Sequence, residues 1–159
     1  MSSMKKAALL LLPLAMASCN YLGIPDGDVS GNILGTQPSG TIRMALRGVT
    51  LSGVQTPALD QGNLGTLNPE KRVYAISFPN TPEDGAYELF AYVDGETGTK
   101  LRYDSGEQKT GSRTFVYSKS GLNKKDGSDI LNLKPGWTLM SGVTPGKNGT
   151  PFTSIDLNW

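Results

Sequence analysis

Acidic side chains cluster in one glycine-containing segment in the second half of the chain. They are Asp94, Glu96, Asp104 and Glu107. Calcium takes about six to eight oxygen ligands, and glycine lets backbone carbonyl groups turn toward an ion, so this segment is a candidate calcium site. The spacing differs from that of an EF-hand loop, and basic residues compete for the carboxylates: Lys100, Arg102 and Lys109. A solvated hairpin crossed by surface ion pairs is therefore the alternative interpretation.

Two residue types that carry much enzyme chemistry are absent or nearly so. The chain has no histidine, the commonest general base at neutral pH, and its single cysteine is Cys19. One cysteine forms neither an intrachain disulfide nor a thiolate zinc cluster. We therefore expect no enzymatic activity and no cofactor other than calcium. A hydrolase that uses two carboxylates stays open as an alternative, because such a pair is close in space rather than in sequence.

Aromatic residues suggest a binding surface. Phe90 and Tyr92 alternate with the apolar face of one segment, and Tyr117 lies in another. If the three share an outward face, they form a patch for a protein, a glycan or a hydrophobic ligand. The alternative is a second core layer beneath another sheet.

The charge distribution excludes nucleic acid as an expected partner. The 15 basic residues less Lys5 and Lys6, which lie in a segment that we expect to be removed, leave 13 against 14 acidic residues. Nucleic-acid-binding domains show a basic stripe or face, whereas the largest basic cluster here is the pair Lys124 and Lys125.

The amino terminus has the pattern of a signal peptide. Residues 7–17 form an almost unbroken apolar run behind Lys5 and Lys6. A helix that spans a bilayer needs about 20 apolar residues, so this run is too short for a stable span but suits the apolar region of a signal peptide. A buried amino-terminal helix is the alternative.

The end of this run, Leu14-Ala15-Met16-Ala17-Ser18-Cys19, resembles the lipobox of bacterial lipoproteins, although Met16 stands where that family usually has leucine. The resemblance implies cleavage before Cys19, a diacylglyceryl thioether on its sulfur and usually acylation of its amino group. Several acyl chains anchor a protein durably, because each buried methylene contributes about 0.8 kcal/mol. Asn20, in place of an aspartate, implies the outer rather than the inner membrane. Cleavage at Ala15-Met16-Ala17 is the alternative and would release a soluble protein.

The rest of the chain predicts short strands separated by turns. With the signal peptide at 1–18 and a lipidated tether at 19–27, one domain remains at 28–159. Alternating apolar residues and regular turn signals predict strands at 29–34, 41–49, 72–78, 86–93, 113–118, 130–133, 137–140 and 152–159. We interpret 50–71 as a loop with at most one short strand, and 121–128 and 142–149 as turns. The fold class is therefore all-β, a single β-sandwich of about seven to eight mostly antiparallel strands.

Three short motifs resemble the prealbumin-like or carboxypeptidase-regulatory-like sandwiches of exported bacterial proteins. They are Val29-Ser30-Gly31, Asp84-Gly85-Ala86-Tyr87-Glu88-Leu89 and Ala91-Tyr92-Val93-Asp94. The resemblance covers 29–107 and implies a domain that binds, braces or displays. We therefore expect an exported lipoprotein, anchored through lipid on Cys19, whose non-catalytic domain binds or braces an envelope protein or glycan. A calcium-stabilised binding module and a carboxylate-dependent hydrolase are the alternatives.

Overall fold

All regular structure in the described part of the chain is β-strand. The computed structural model describes residues 27–95, 102–126 and 129–159. These residues contain twelve strands: β1 (Val29–Leu34), β2 (Thr41–Gly48), β3 (Asp60–Gly62), β4 (Thr66–Asn68), β5 (Val73–Ile76), β6 (Gly85–Asp94), β7 (Arg113–Ser118), β8 (Leu122–Asp126), β9 (Asp129–Leu133), β10 (Gly136–Ser141), β11 (Thr144–Asn148) and β12 (Leu157–Asn158). Across the same residues, no helix has the length and apolarity that a bilayer crossing requires.

The strands form two principal sheets and a separate hairpin. A four-stranded sheet has the order β12-β1-β5-β4, a six-stranded sheet has the order β11-β10-β7-β6-β2-β3, and β8 pairs with β9. Neighbouring strands are antiparallel except β1 and β12, which are parallel. The expected all-β sandwich is confirmed, with more strands than the seven to eight predicted.

The principal core lies between the two sheets. Alternate residues of each strand point to the same face, so Met44 and Leu46 of β2 and Leu89 of β6 face Val29 and Ile76 across the sandwich. Phe78 lies among the aromatic rings of this core and stacks on Trp137 with ring centroids 3.8 Å apart. Fully burying one such side chain stabilises the fold by about 1.5–3 kcal/mol.

Strand β6 is central and buried on both faces. The apolar residues on both faces of 86–93 predict either a central strand or an interface. Strand β6 pairs with β2 on one side and β7 on the other, which confirms the central position. The chain reaches β6 from β5, in the opposite sheet, through a corner held by Tyr87, whose hydroxyl donates to Glu83 O at 2.7 Å. The arrangement has the geometry of a tyrosine corner, which is a feature of many β-sandwiches.

Two smaller apolar clusters cover the outer face of the six-stranded sheet. One joins Ala86, Val116 and Met140 to leucines of the β8–β9 hairpin, which lies over this part of the sheet. The other joins Ala45, Phe90 and Tyr92 to Tyr103, which belongs to the segment before β7. The alternation in 41–49 predicts that the face of β2 with Arg43 and Arg47 is exposed to water. In the structure, the second cluster covers part of this face.

Five strands differ from the sequence expectations. The segment 50–71 contains two strands, β3 and β4, rather than one at most, and each has only three residues. Strands β8 and β11 occupy most of the segments interpreted as turns. Conversely, the predicted strand at 152–159 is regular only over β12, with a single bridge from Phe152 to Val29. The missed strands are short or polar and lack apolar alternation, so pairing with a neighbour defines them.

The sandwich has two distinct ends. Gly27 and the start of β1 lie at the end where Val29 bridges to Phe152. Leu34, at the other end of β1, pairs with Asn158, whose carbonyl accepts a hydrogen bond from Gly111 N just before β7. We call the first the amino-terminal end and the second the distal end.

Candidate functional site

The carboxylates of Asp94 and Glu107, two members of the predicted calcium site, are engaged by protein groups. Asp94 is almost fully buried and accepts from Arg43 Nε at 2.6 Å. The two oxygens of Glu107 accept from Gly95 N at 2.9 Å and Asp104 N at 2.8 Å. Glu96 lies outside the described residues. Within those residues, no three carboxylate, histidine or cysteine side chains converge on a common point, so a calcium ion would have to displace these bonds.

Glu107 therefore organises a loop. Its carboxylate joins the end of β6 to the turn at Asp104. Further along the chain, the backbone of Lys109 forms an isolated antiparallel β-bridge with Tyr92 of β6. A carboxylate that accepts two backbone N–H groups stabilises a turn by charge-assisted hydrogen bonds. This loop places Tyr103 over the outer face of the six-stranded sheet.

A charged cluster lies beside Tyr103 on that face. Arg47 Nε donates to Glu88 Oε1 at 2.5 Å, and Lys109 Nζ lies 3.7 Å from Glu88 Oε2. The Arg47 guanidinium lies 5.2 Å from the Phe90 ring centroid and 5.0 Å from that of Tyr103. Both cations thus share one carboxylate and the aromatic faces, where cation–π attraction contributes about 0.5–2 kcal/mol.

The three aromatic residues of the predicted interaction surface do not form one exposed patch. Phe90 and Tyr92 are fully buried in the outer cluster under Tyr103. Tyr117 packs from the other face of its sheet against Trp137, with ring centroids 5.1 Å apart. The expectation of a shared outward face is therefore corrected, because a covering loop buries the first two and strand alternation directs the third into the principal core.

Burial also raises the pKa values of Tyr92 and Tyr87. Burial and then the negative charge of Asp94 raise the pKa of Tyr92 to about 12. The Tyr92 hydroxyl is enclosed and has no hydrogen-bond partner in the described part of the chain. Burial, followed by the charge of Glu83, likewise raises the pKa of Tyr87 to about 12. Both side chains are neutral at physiological pH, and neither is suited to act as a general base there.

A cleft of about 550 Å³ opens between the sheets toward the distal end. It is lined by Ser112–Thr114, Leu139–Gly142, Gly146 and Ser154–Asp156. Its volume lies within the range of about 300–1,000 Å³ that is typical of ligand sites. The sequence contains no motif that marks this cleft, because four separate stretches of the chain line it and its residues are common types.

The cleft forms where two neighbouring strands separate. The ladder between β7 and β10 runs from Ser118 and Gly136 to Phe115 and Leu139 and ends there. Both strands continue, β7 back to Arg113 and β10 on to Ser141. On its other side, β10 shifts register against β11 between Thr138 and Met140. Such irregularities bend a strand and terminate pairing, often beside functional sites.

The charged groups of the cleft balance each other. Arg113 donates through Nε and Nη2 to Asp156 O, at 2.9 and 2.8 Å. The Asp156 carboxylate accepts from the backbone and side-chain amides of Asn32 through Oδ1, at 2.9 and 3.0 Å. These two are the charged residues among the lining residues, and the others are hydroxyl, glycine or apolar. The second carboxylate that a glycoside hydrolase needs is therefore missing from this lining.

Comparison with known proteins identifies no relative. The chain matches no protein family, no curated protein and no solved structure. Cys19, the predicted lipidation site, lies outside the described residues.

Proposed function

We propose that this chain is a membrane-anchored envelope lipoprotein whose non-catalytic β-sandwich binds or braces another envelope component. The observation that carries the proposal is the apolar run that ends in Ala17-Ser18-Cys19, directly before a chain with no other cysteine. A short tether then connects Cys19 to a domain of which β1 begins at Val29. The acyl chains hold the domain at the membrane, and the outer membrane is the favoured location.

The position of the cleft supports a binding role. Gly27, the last residue of the predicted tether, lies at the amino-terminal end, whereas the cleft opens toward the distal end of the same sandwich. An anchor at one end leaves the other free to meet a partner. No observation among the described residues favours the calcium-binding or hydrolase alternatives over this proposal.

The first test measures the anchor. Intact-mass spectrometry of the protein from its native membranes should show loss of residues 1–18 and the added mass of diacylglyceryl and acyl groups. Cys19→Ser should abolish that added mass and move the protein from the membrane to the soluble envelope fraction. Ser18→Ala keeps a small residue before the cysteine and is the matched control, which should be processed normally. An unmodified thiol on the wild-type protein would refute the proposal.

The second test measures partnership. A photo-reactive benzoylphenylalanine at exposed positions of the full chain, irradiated in native membranes, should yield a discrete cross-linked product with one envelope component. Absence of any such product from both ends of the sandwich would refute the binding function. If the protein in the same preparation is still membrane-anchored, absence of a cross-link counts against the binding function and not against the lipid anchor.

A further inference from the structure

We propose that the cleft between β7 and β10 binds an extended segment of a partner protein, which adds to the free strand edges as a short strand. The proposal rests on the binding function proposed above and assigns its site and ligand class. The partner is identified by its chemistry, a neutral extended peptide. Main-chain hydrogen bonds would supply much of the affinity, as in other cases of strand addition.

Two free edges face the cleft. Arg113 and Thr114 of β7 pair with β6 but lie beyond the ladder to β10. Met140 and Ser141 of β10 pair with β11 but lie beyond the ladder to β7. Each strand therefore has a stretch that is paired on one side only and borders the cleft. Backbone N–H and C=O groups at such an edge are a template for another strand.

The composition of the cleft matches a neutral backbone. The charges of Arg113 and Asp156 balance, so the lining favours neither an anion nor a cation. Serine and threonine hydroxyl groups can donate to carbonyl groups and accept from amides. Leu139 and Ile155, which are partly buried against the principal core, provide an apolar floor.

An apolar contact also lies at the rim. Val143, in the β10–β11 turn next to the cleft residue Gly142, is 60% exposed. In the described part of the chain, only Leu34 joins it as an exposed large hydrophobic residue. A side chain of the added segment can cover Val143 while its backbone pairs in the cleft.

The outer edges of both sheets are less suited to strand addition. Strand β11 carries Pro145, which lacks an N–H group, and the exposed Lys147. The other outer strands, β3, β4 and β12, have only two or three residues each. Proline, lysine and short length are the usual means of blocking an edge. The interior edges at the cleft carry neither lysine nor proline.

The first experiment locates the partner contact. Benzoylphenylalanine replaces Ser141 in the cleft or, as a matched control, the exposed Ser120 near the amino-terminal end, in the full chain in native membranes. Cross-linking through position 141, with the attachment site on the partner in an extended peptide, is the expected result. Cross-linking through position 120 alone would overturn this proposal and leave the binding function intact. No product at either position would overturn both.

The second experiment measures backbone recognition. The probe is a displayed library of random dodecapeptides, selected on the detergent-solubilised full chain. N-methylation of alternate amides in an enriched peptide should weaken its binding about tenfold or more, because each methyl group removes a donor. Ser141→Trp, which fills the cleft, should weaken binding by a similar factor, and Ser120→Trp should leave it unchanged.

A milder pair of variants guards against misfolding of the tryptophan variant. Val143→Ser in the exposed turn should weaken binding of the enriched peptide about fivefold, whereas Leu34→Ser should leave binding unchanged. Failure to enrich any peptide, or affinity insensitive to both N-methylation and the cleft variants, would overturn the proposal. The proposal would also be overturned if a neutral oligosaccharide such as maltohexaose, rather than a peptide, shifted the NMR signals of the Arg113 and Ser141 backbone amides.

Discussion

Three buried tyrosines differ in what their hydroxyl groups contact. Tyr74 donates to Ile155 O at 2.5 Å, and Tyr87 donates to Glu83 O at 2.7 Å. The Tyr92 hydroxyl makes no hydrogen bond to another described residue. A satisfied hydroxyl stabilises the folded state, whereas an enclosed one without a partner costs the free energy of its lost hydration.

Removing these hydroxyl groups should therefore have opposite consequences. Tyr87→Phe should lower the free energy of unfolding by about 1 kcal/mol, because Glu83 O loses its donor. Tyr92→Phe should leave that free energy unchanged or raise it by up to about 1 kcal/mol. Urea denaturation followed by tryptophan fluorescence measures both. Equal destabilisation by the two substitutions would contradict the assignment of Tyr92 as unsatisfied.

The same residues predict how stability depends on alkaline pH. In the unfolded chain Tyr87 and Tyr92 ionise near their ordinary pKa of 10.0, whereas burial raises both values to about 12 in the folded protein. Their contribution is complete below pH 10 and is lost as the pH rises through about 12, because the unfolded state releases its protons first. The free energy of unfolding should fall across this window, and less steeply in Tyr92→Phe. Parallel curves for the two proteins would exclude this cause.

Among the elements, β6 begins at a position that only glycine fits easily. Gly85 has a φ of +149°, which L-residues rarely adopt. A Cβ atom there would lie 2.6 Å from Pro57 Cγ and closer still to Gln55 O, the acceptor of Ala86 N. The 50–71 segment thus packs directly against the start of the central strand.

Substitution of Gly85 should be far more costly than substitution of a glycine in an open turn. Gly85→Ala should lower the free energy of unfolding by about 3 kcal/mol, from backbone strain and steric overlap together. Gly106 has a φ of +106°, and a Cβ atom there would meet no other atom within 4 Å. Gly106→Ala is therefore the control and should cost about 1 kcal/mol. Thermal denaturation compares the two variants, and similar losses would show that the packing at Gly85 relaxes easily.

The strands that the sequence predicts well are those with apolar alternation. The bounds predicted for β1 and β7 agree with the structure at both ends. Strands β8 and β11 have the sequences LNKKD and TPGKN, which contain one leucine between them and no apolar period. Their strand conformation comes from backbone pairing with the adjacent strands of their hairpins, β9 and β10, and not from an apolar pattern of their own. For the same reason the cleft, which depends on where β7 and β10 separate, has no signature in the sequence.

Across the whole molecule, the last residues complete the sheet that the first strand begins. Leu157 of β12 pairs with Ile33 of β1 and is buried in the principal core. The distant ends of the domain therefore meet in one sheet, and its closure needs the carboxyl-terminal segment. Bringing together residues at such a long sequence separation costs chain entropy.

The closure can be tested with one leucine and a matched control. Leu157→Ala should lower the free energy of unfolding by about 3 kcal/mol, because it leaves a cavity between the sheets. Leu34→Ala, at an exposed position on the neighbouring strand, should change it by less than about 0.5 kcal/mol. Chemical denaturation measures both. A small effect at Leu157 would mean that the domain is stable without its last strand.

The amino-acid sequence by itself determined the all-β class, the central position of β6 and the principal core strands, because apolar alternation is a local property that sheet geometry requires. It also carries the motif on which the proposed lipid anchor depends. Only the tertiary structure decided that Phe90 and Tyr92 are covered, that Asp94 and Glu107 are already engaged, and that a cleft opens between β7 and β10. Those outcomes depend on which segments distant in the chain come into contact, and no local pattern encodes that.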